Sequence, residues 1–297
     1  MPSQRRKHAE PPWLETSFYS VAFFGFFSLA LSAFASPPVR VLTTTLEPET
    51  VAGFARYVQA AEARIAKEER DPRAFLYFDR LPPAQRAPVI ESLQRDQVFI
   101  TRLTTLDSSG RAIAAPGGLI HHWLGMVFIR GASLRQVLTT VQNYNQQQED
   151  YAPQVVRSRL LYRKGSDFKI YLRLQEKEVI TVTLDTWHDV HYSRLDATHV
   201  SSRSISTRIQ EVRNAGERDE YLMPVGRGGG FLWRINSYWR FEARDGGVYV
   251  QCESISLTRD IPTGLGWLVG PFVTSIPRET LENTLSETRA AVIYPRT

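Results

Sequence analysis

The stretch HHWLGMVFIRGASLRQVL, residues 121–138, decides how the rest of the chain is read. Its first part, His121 to Ile129, is nearly continuous in apolar and β-favouring residues, which predicts a strand. Ser133 then offers a capping hydroxyl, and Leu134, Leu138 and Val141 recur at helical spacing, so a helix is expected over 134–144. A strand that runs straight into a helix, after the Pro116-Gly117-Gly118 break, is the entry to a larger pattern.

Downstream, a second short helical stretch covers 145–151 and ends at Tyr151-Ala152-Pro153. Six strand-like segments come next, at 155–163, 167–175, 178–194, 198–212, 234–244 and 247–258. The turns Lys164-Gly165-Ser166-Asp167, Asp196-Ala197 and Asp245-Gly246-Gly247 suit hairpins. A polar, glycine-rich insertion at 213–230 interrupts this meander. Residues 275–292 close the chain as a helix, with Pro277 in its first turn and Leu281, Leu285 and Val292 on one side.

Strand, two helices, six antiparallel strands, long helix: this order, with INSYWRF and SIPRETLENTL beside the opening stretch, resembles the START-like (SRPBCC) helix-grip superfamily over residues 117–294. The resemblance implies an α+β fold in which a curved antiparallel sheet wraps a long C-terminal helix. It also implies a cavity between the two. Members include lipid-transfer proteins, plant ligand-binding proteins and polyketide aromatase/cyclases, so the resemblance speaks to fold and leaves the ligand open.

The residues support an apolar interior independently. Phe168, Ile170, Leu172 and Leu174 share one strand face; so do Ile235, Ser237, Trp239 and Phe241, and so do Val248, Val250 and Cys252. Lys169, Tyr171, Arg173, Asn236, Tyr238, Arg240, Glu242 and Glu253 take the opposite, polar face. Periodicity does not separate a lined cavity from a solid core.

Upstream, residues 36–116 are expected to form a tether and then a helical and hairpin extension packed on the helix-grip region. Val51, Phe54, Val58, Ala61 and Ile65 recur at spacings of 3, 4, 3 and 4, predicting a helix over 47–69. Ala74 to Phe78 reads as a short aromatic strand, and a short helix is expected around 84–95. Gln97 to Thr105 reads as another strand, returned as a hairpin by Asp107-Ser108-Ser109-Gly110.

Residues 1–35 read as an address. Arg5-Arg6-Lys7-His8 precedes an uncharged run of 14 residues, Phe18 to Leu31, and Ala33-Phe34-Ala35 gives a small-x-small site. That is the layout of a secretory signal peptide. Counted on to Ala35 the run is 18 residues, the lower limit for an uncleaved anchor. Either way the folded part is expected outside the cytoplasm, periplasmic or secreted.

Composition narrows the chemistry. The net charge of +5 is well mixed along 297 residues, which argues against a nucleic-acid partner. The densest basic run, Arg157, Arg159, Arg163 and Lys164, puts three arginines on one strand face, a small patch. Cys252 is the single cysteine, so neither an internal disulfide nor a thiolate-rich metal site is available. His188 and His191 lie three apart, which on a strand points them to opposite faces and disfavours a metal site. Gly226-Arg227-Gly228-Gly229-Gly230 lacks the Lys-Ser/Thr of a phosphate loop and reads as a hairpin connection.

The expected function is therefore non-enzymatic binding or shuttling of an apolar small molecule or lipid, without cofactor or metal. Trp187, Tyr192, Trp239 and Phe241 are the expected ligand contacts. The uncharged, glycine-punctuated stretch 261–276 is expected to act as a lid through Leu265, Trp267, Leu268 and Phe272, able to touch a membrane surface. Two alternatives stand beside this. One is a cyclase- or hydrolase-like enzyme on the same fold, with His191 or Glu253 as its polar group. The other is a structural, partner-binding envelope protein with a solid core.

Overall fold

The computed structural model describes residues 43–177, 180–260 and 275–295. The expected signal peptide or anchor, nearly all of the tether, and the lid residues Leu265, Trp267, Leu268 and Phe272 lie outside the described residues.

In chain order the elements are β1 (Thr44–Thr45), α1 (Pro48–Glu69), α2 (Pro83–Gln94), β2 (Phe99–Arg102), β3 (Gly118–Arg130), α3 (Leu134–Val141), α4 (Gln147–Asp150), β4 (Val155–Lys164), β5 (Asp167–Lys177), β6 (Thr181–Arg194), β7 (His199–Arg213), β8 (Tyr221–Leu222), β9 (Arg227–Gly228), β10 (Arg234–Arg244), β11 (Gly247–Arg259) and α5 (Ile276–Ile293). Eight strands form one antiparallel sheet in the order β2-β3-β11-β10-β7-β6-β5-β4, and β8 extends it from the end of β7. β1 pairs with β9 inside the glycine-rich insertion. This is the α+β helix-grip arrangement: strand, two helices, a six-stranded meander, and a helix laid back on the sheet.

One face of the sheet, here the inner face, receives α3 and α5. Ser133 caps α3 reciprocally with Gln136, and Val137, Leu138 and Val141 bury against strand residues such as Val127, Phe168 and Val250. Leu281 and Leu285 of α5 sit over Gly125 of β3, where a Cβ would overlap Leu285 and Ile100. Gly125 is thus the position at which the helix touches the sheet most closely.

The outer face is covered as well, and here the sequence reading needs correction. The face holding Asn236, Tyr238, Arg240, Glu242 and Glu253 is polar but buried, because α1 and the segment after it lie across it. Phe54, Tyr57, Val58, Ala61 and Ile65 of α1 pack on Tyr238, Ile255 and Leu257. The larger of these, Phe54, Val58 and Ile65, each contribute about 1.5–3 kcal/mol on burial. Residues 74–78 are not a strand: they straddle two 3-10 turns, Pro72–Ala74 and Tyr77–Arg80. Phe75, Leu76 and Phe78 are all fully buried, which strict alternation does not allow; Asp71 and Asp79 tighten the turns by accepting from Arg73 and Leu76 amides. The hairpin expected at 97–112 reduces to β2, which pairs with β3, and a single bridge between Leu106 and Ala112.

Buried charges hold the outer layer down. His122 Nε2 lies 2.7 Å from Glu253, and Tyr57 reaches His122 Nδ1 at 3.0 Å. Arg64 joins Glu253 to Glu68, which also binds Arg80 and, at 2.8 Å, Arg240. Burial alone would raise the Glu253 carboxyl, but the His122 hydrogen bond and the Arg64 charge hold it down to about 2.

Candidate functional site

Away from the contact at Gly125, the inner face and α5 enclose a cavity of about 280 Å³. Most of its sheet wall comes from alternate residues of five strands: Ile170, Leu172 and Leu174 of β5, Leu184, His188, Val190 and Tyr192 of β6, Ser202 and Ser204 of β7, Ser237, Trp239 and Phe241 of β10, and Cys252, Ser254 and Ser256 of β11. Thr280, Leu281, Thr284 and Glu287 of α5 face them, and Tyr144 and Tyr151 close the side.

Register explains the wall's texture. Val190, Ser204, Ser237 and Ser254 are opposite one another across β6, β7, β10 and β11, so three hydroxyls cross the floor in one row. The next row holds Tyr192, Ser202, Trp239 and Cys252, and Trp239 stacks on Phe241 with centroids 6.1 Å apart. Beyond the serines, β7 bulges where the register with β6 shifts between Trp187 and His188. Before the bulge Ser202, Ser204 and Ser206 point inward; after it Ile209 and Glu211 do.

The phenols, thiol and imidazole inside are held neutral. Tyr144 and Tyr192 share a hydrogen bond of 2.9 Å; burial pushes Tyr192 up to about 12 and raises Tyr144 well above the ordinary phenol value. Burial likewise raises Tyr151, which bonds Thr288 at 3.1 Å, and the Cys252 thiol. It drives His188 in the opposite direction, down to about 4, so the imidazole is uncharged at pH 7. Among the described residues lining the cavity there is no lysine or arginine.

Of the expected ligand contacts, Tyr192, Trp239 and Phe241 line this cavity together, and Trp187 does not. Trp187 is on the outer face, its ring 5.3 Å from Tyr171 and covered by the Arg208 guanidinium at 3.5 Å. Its odd position on β6 dictates this, since the inward residues there are all even. The polar candidates for catalysis also fall outside. Glu253 belongs to the buried network beneath α1, and His191 is exposed and paired with Asp167 at 2.7 Å. His188 and His191 therefore face opposite ways and form no chelate. The basic run divides too: Arg157 and Arg159 lie opposite Arg173 and Tyr171, but a register shift after Leu160 turns Arg163 over the Phe168 ring at 4.9 Å. His188 and the serine row were not singled out as cavity groups by the sequence. The signal available was the alternation of Ser202, Ser204 and Ser206 with Arg203 and Ile205, matched by Ser254 and Ser256 around Ile255.

No protein-family model matches the chain, and no curated protein matches it. Among solved structures, it is similar to the STAR-related lipid transfer protein of Xanthomonas axonopodis at 18% identity and a TM-score of 0.42, covering 61% of this chain and 97% of that one. It is similar to the Zhui aromatase/cyclase of a Streptomyces species at 13% identity and a TM-score of 0.37, covering 59% and 94% of the two chains. Human STARD10 is similar at 8% identity and a TM-score of 0.42, covering 73% and 82%. At these values the likeness carries no argument about ligand or activity, which rest on the cavity.

Proposed function

We propose that this START-like helix-grip chain is an exported, non-enzymatic binding or shuttling domain for an apolar small molecule held between sheet and α5. The observation that carries the reading is the cavity itself, walled mainly by aliphatic and aromatic side chains with a few polar groups. Transfer of apolar surface from water into such a space supplies affinity, and the polar groups supply orientation. The N-terminal basic, apolar and small-x-small sequence supports export. A structural protein with a solid core has no need of this hollow. The enzymatic alternative is weakened because His191 and Glu253 sit outside it and the phenols, thiol and imidazole within are held neutral.

Titration with N-phenylnaphthylamine, a neutral dye that brightens in apolar surroundings, tests the reading. Saturable binding at one site per chain is expected. Ser237→Phe, which projects a ring into the cavity, should weaken it by about tenfold or more. Equal binding by a folded Ser237→Phe protein would place the dye elsewhere and remove the support.

A further inference from the structure

His188 indicates which chemical group the occupant carries. The Thr186 hydroxyl has one proton, and it donates that proton to the Leu172 carbonyl at 3.1 Å. At 3.0 Å from His188 Nε2 the same oxygen is therefore an acceptor, so Nε2 bears the ring proton and Nδ1 is a bare lone pair. His188 is only 7% exposed and lines the cavity wall, and the one hydrogen bond its ring makes among the described residues is that of Nε2 to Thr186. An acceptor left without a donor beside an apolar cavity is costly, and a ligand that brings one recovers the cost.

Resting on the carrier reading, we infer that the cavity selects an uncharged apolar molecule bearing a hydroxyl or similar hydrogen-bond donor, received by Nδ1 of His188.

Burial keeps this nitrogen unprotonated until the pH falls to about 4, so it acts as an acceptor throughout the neutral range. Ser204 lies diagonally across from His188 on β7, in the row with Ser237 and Ser254. Ser204, on the strand next to His188, is placed to donate to the ligand's oxygen while its proton goes to His188. A carboxylate brings no proton. It would set its lone pairs against that of Nδ1, in a cavity whose lining includes Glu287 and, among the described residues, no lysine or arginine to offset it. The cavity volume of about 280 Å³ is at the lower end of ligand sites, which run about 300–1,000 Å³. One short chain or a small ring system suits it better than a two-chain lipid.

Decan-1-ol, its isomer methyl nonyl ether, and decanoate differ in this one group and make the test. Displacement of N-phenylnaphthylamine from the wild-type protein at pH 7.5 should rank the alcohol about tenfold tighter than the ether, with decanoate weakest. In His188→Leu the ratio of alcohol to ether affinity should fall toward one, whatever the absolute affinities, and His188→Asn, which restores an acceptor, should recover part of it. Equal binding of the three probes, or decanoate binding tightest, overturns the donor inference and leaves the apolar carrier standing. If the dye binds and none of the three displaces it, this ligand class is wrong. If neither dye nor probes bind, the carrier reading fails first.

Discussion

Glu253 and His188 carry similar promise when read from sequence, and the backbone gives them opposite tasks. Glu253 sits on an odd position of β11 and faces α1, where the Arg64 guanidinium pairs with it and His122 hydrogen-bonds to it. Replacing it with leucine strands both partners in a buried layer, and a loss of about 3 kcal/mol is expected in urea denaturation. Dye affinity should be unchanged, whereas a catalytic or ligand-contacting Glu253 would show the reverse pattern. Two of the buried histidines, His188 and His121, set a pH dependence. Burial lowers both His188 and His121 to about 4, the latter helped by the Arg102 charge. Their ordinary value is about 6.5, so the unfolded chain takes up protons first as pH falls. Stability should therefore drop between pH 6.5 and pH 4, by at most about 3 kcal/mol per ring. Glu253 acts in a lower window: its contribution is present above pH 4.5 and is lost toward pH 2. Urea midpoints at pH 7.5, 5.5 and 4.5 check this, and His188→Asn should flatten the slope. A flat profile in the parent protein would mean that these rings are not held neutral.

At the scale of elements, α5 depends on one missing side chain. Gly125→Val drives a branched group into Leu285 and Ile100, and a loss of about 1–3 kcal/mol in thermal or urea unfolding is expected. Trp187 and Trp239 make a matched pair on neighbouring parts of the sheet. Trp239→Ala removes cavity wall and should weaken dye binding several-fold, while Trp187→Ala removes an outer-face ring under Arg208 and should leave it unchanged. The strands, α1 and α5 were legible because their periods are long and regular. Residues 74–78 were not: buried neighbours in consecutive positions resemble an apolar strand until the chain is seen to turn. The bulge in β7 was equally hidden, since one extra residue leaves no mark in composition. HHWLGMVFI did carry a further message. Its unbroken apolar run, instead of alternation, is what a strand covered on both faces requires, with Leu124, Met126 and Phe128 under the outer layer and Val127 and Ile129 under the inner.

For the whole molecule, the order of elements was enough to foresee the helix-grip arrangement. The hollow within it was not, because a side chain that lines a space and one that fills a core obey the same period. Three of the four anticipated contacts reach the cavity because strand parity was readable around Tyr192, Trp239 and Phe241. The serine row and the His188 acceptor depend on cross-strand register, which a single sequence does not display. The central claim is that this space holds a molecule. Native mass spectrometry of the protein purified from its own cells tests it most directly, with denaturation and identification of whatever is released. A bound small molecule near one equivalent, neutral and bearing a hydroxyl or other donor, is the predicted result. An empty protein that also fails to take up the dye and decan-1-ol would contradict the account.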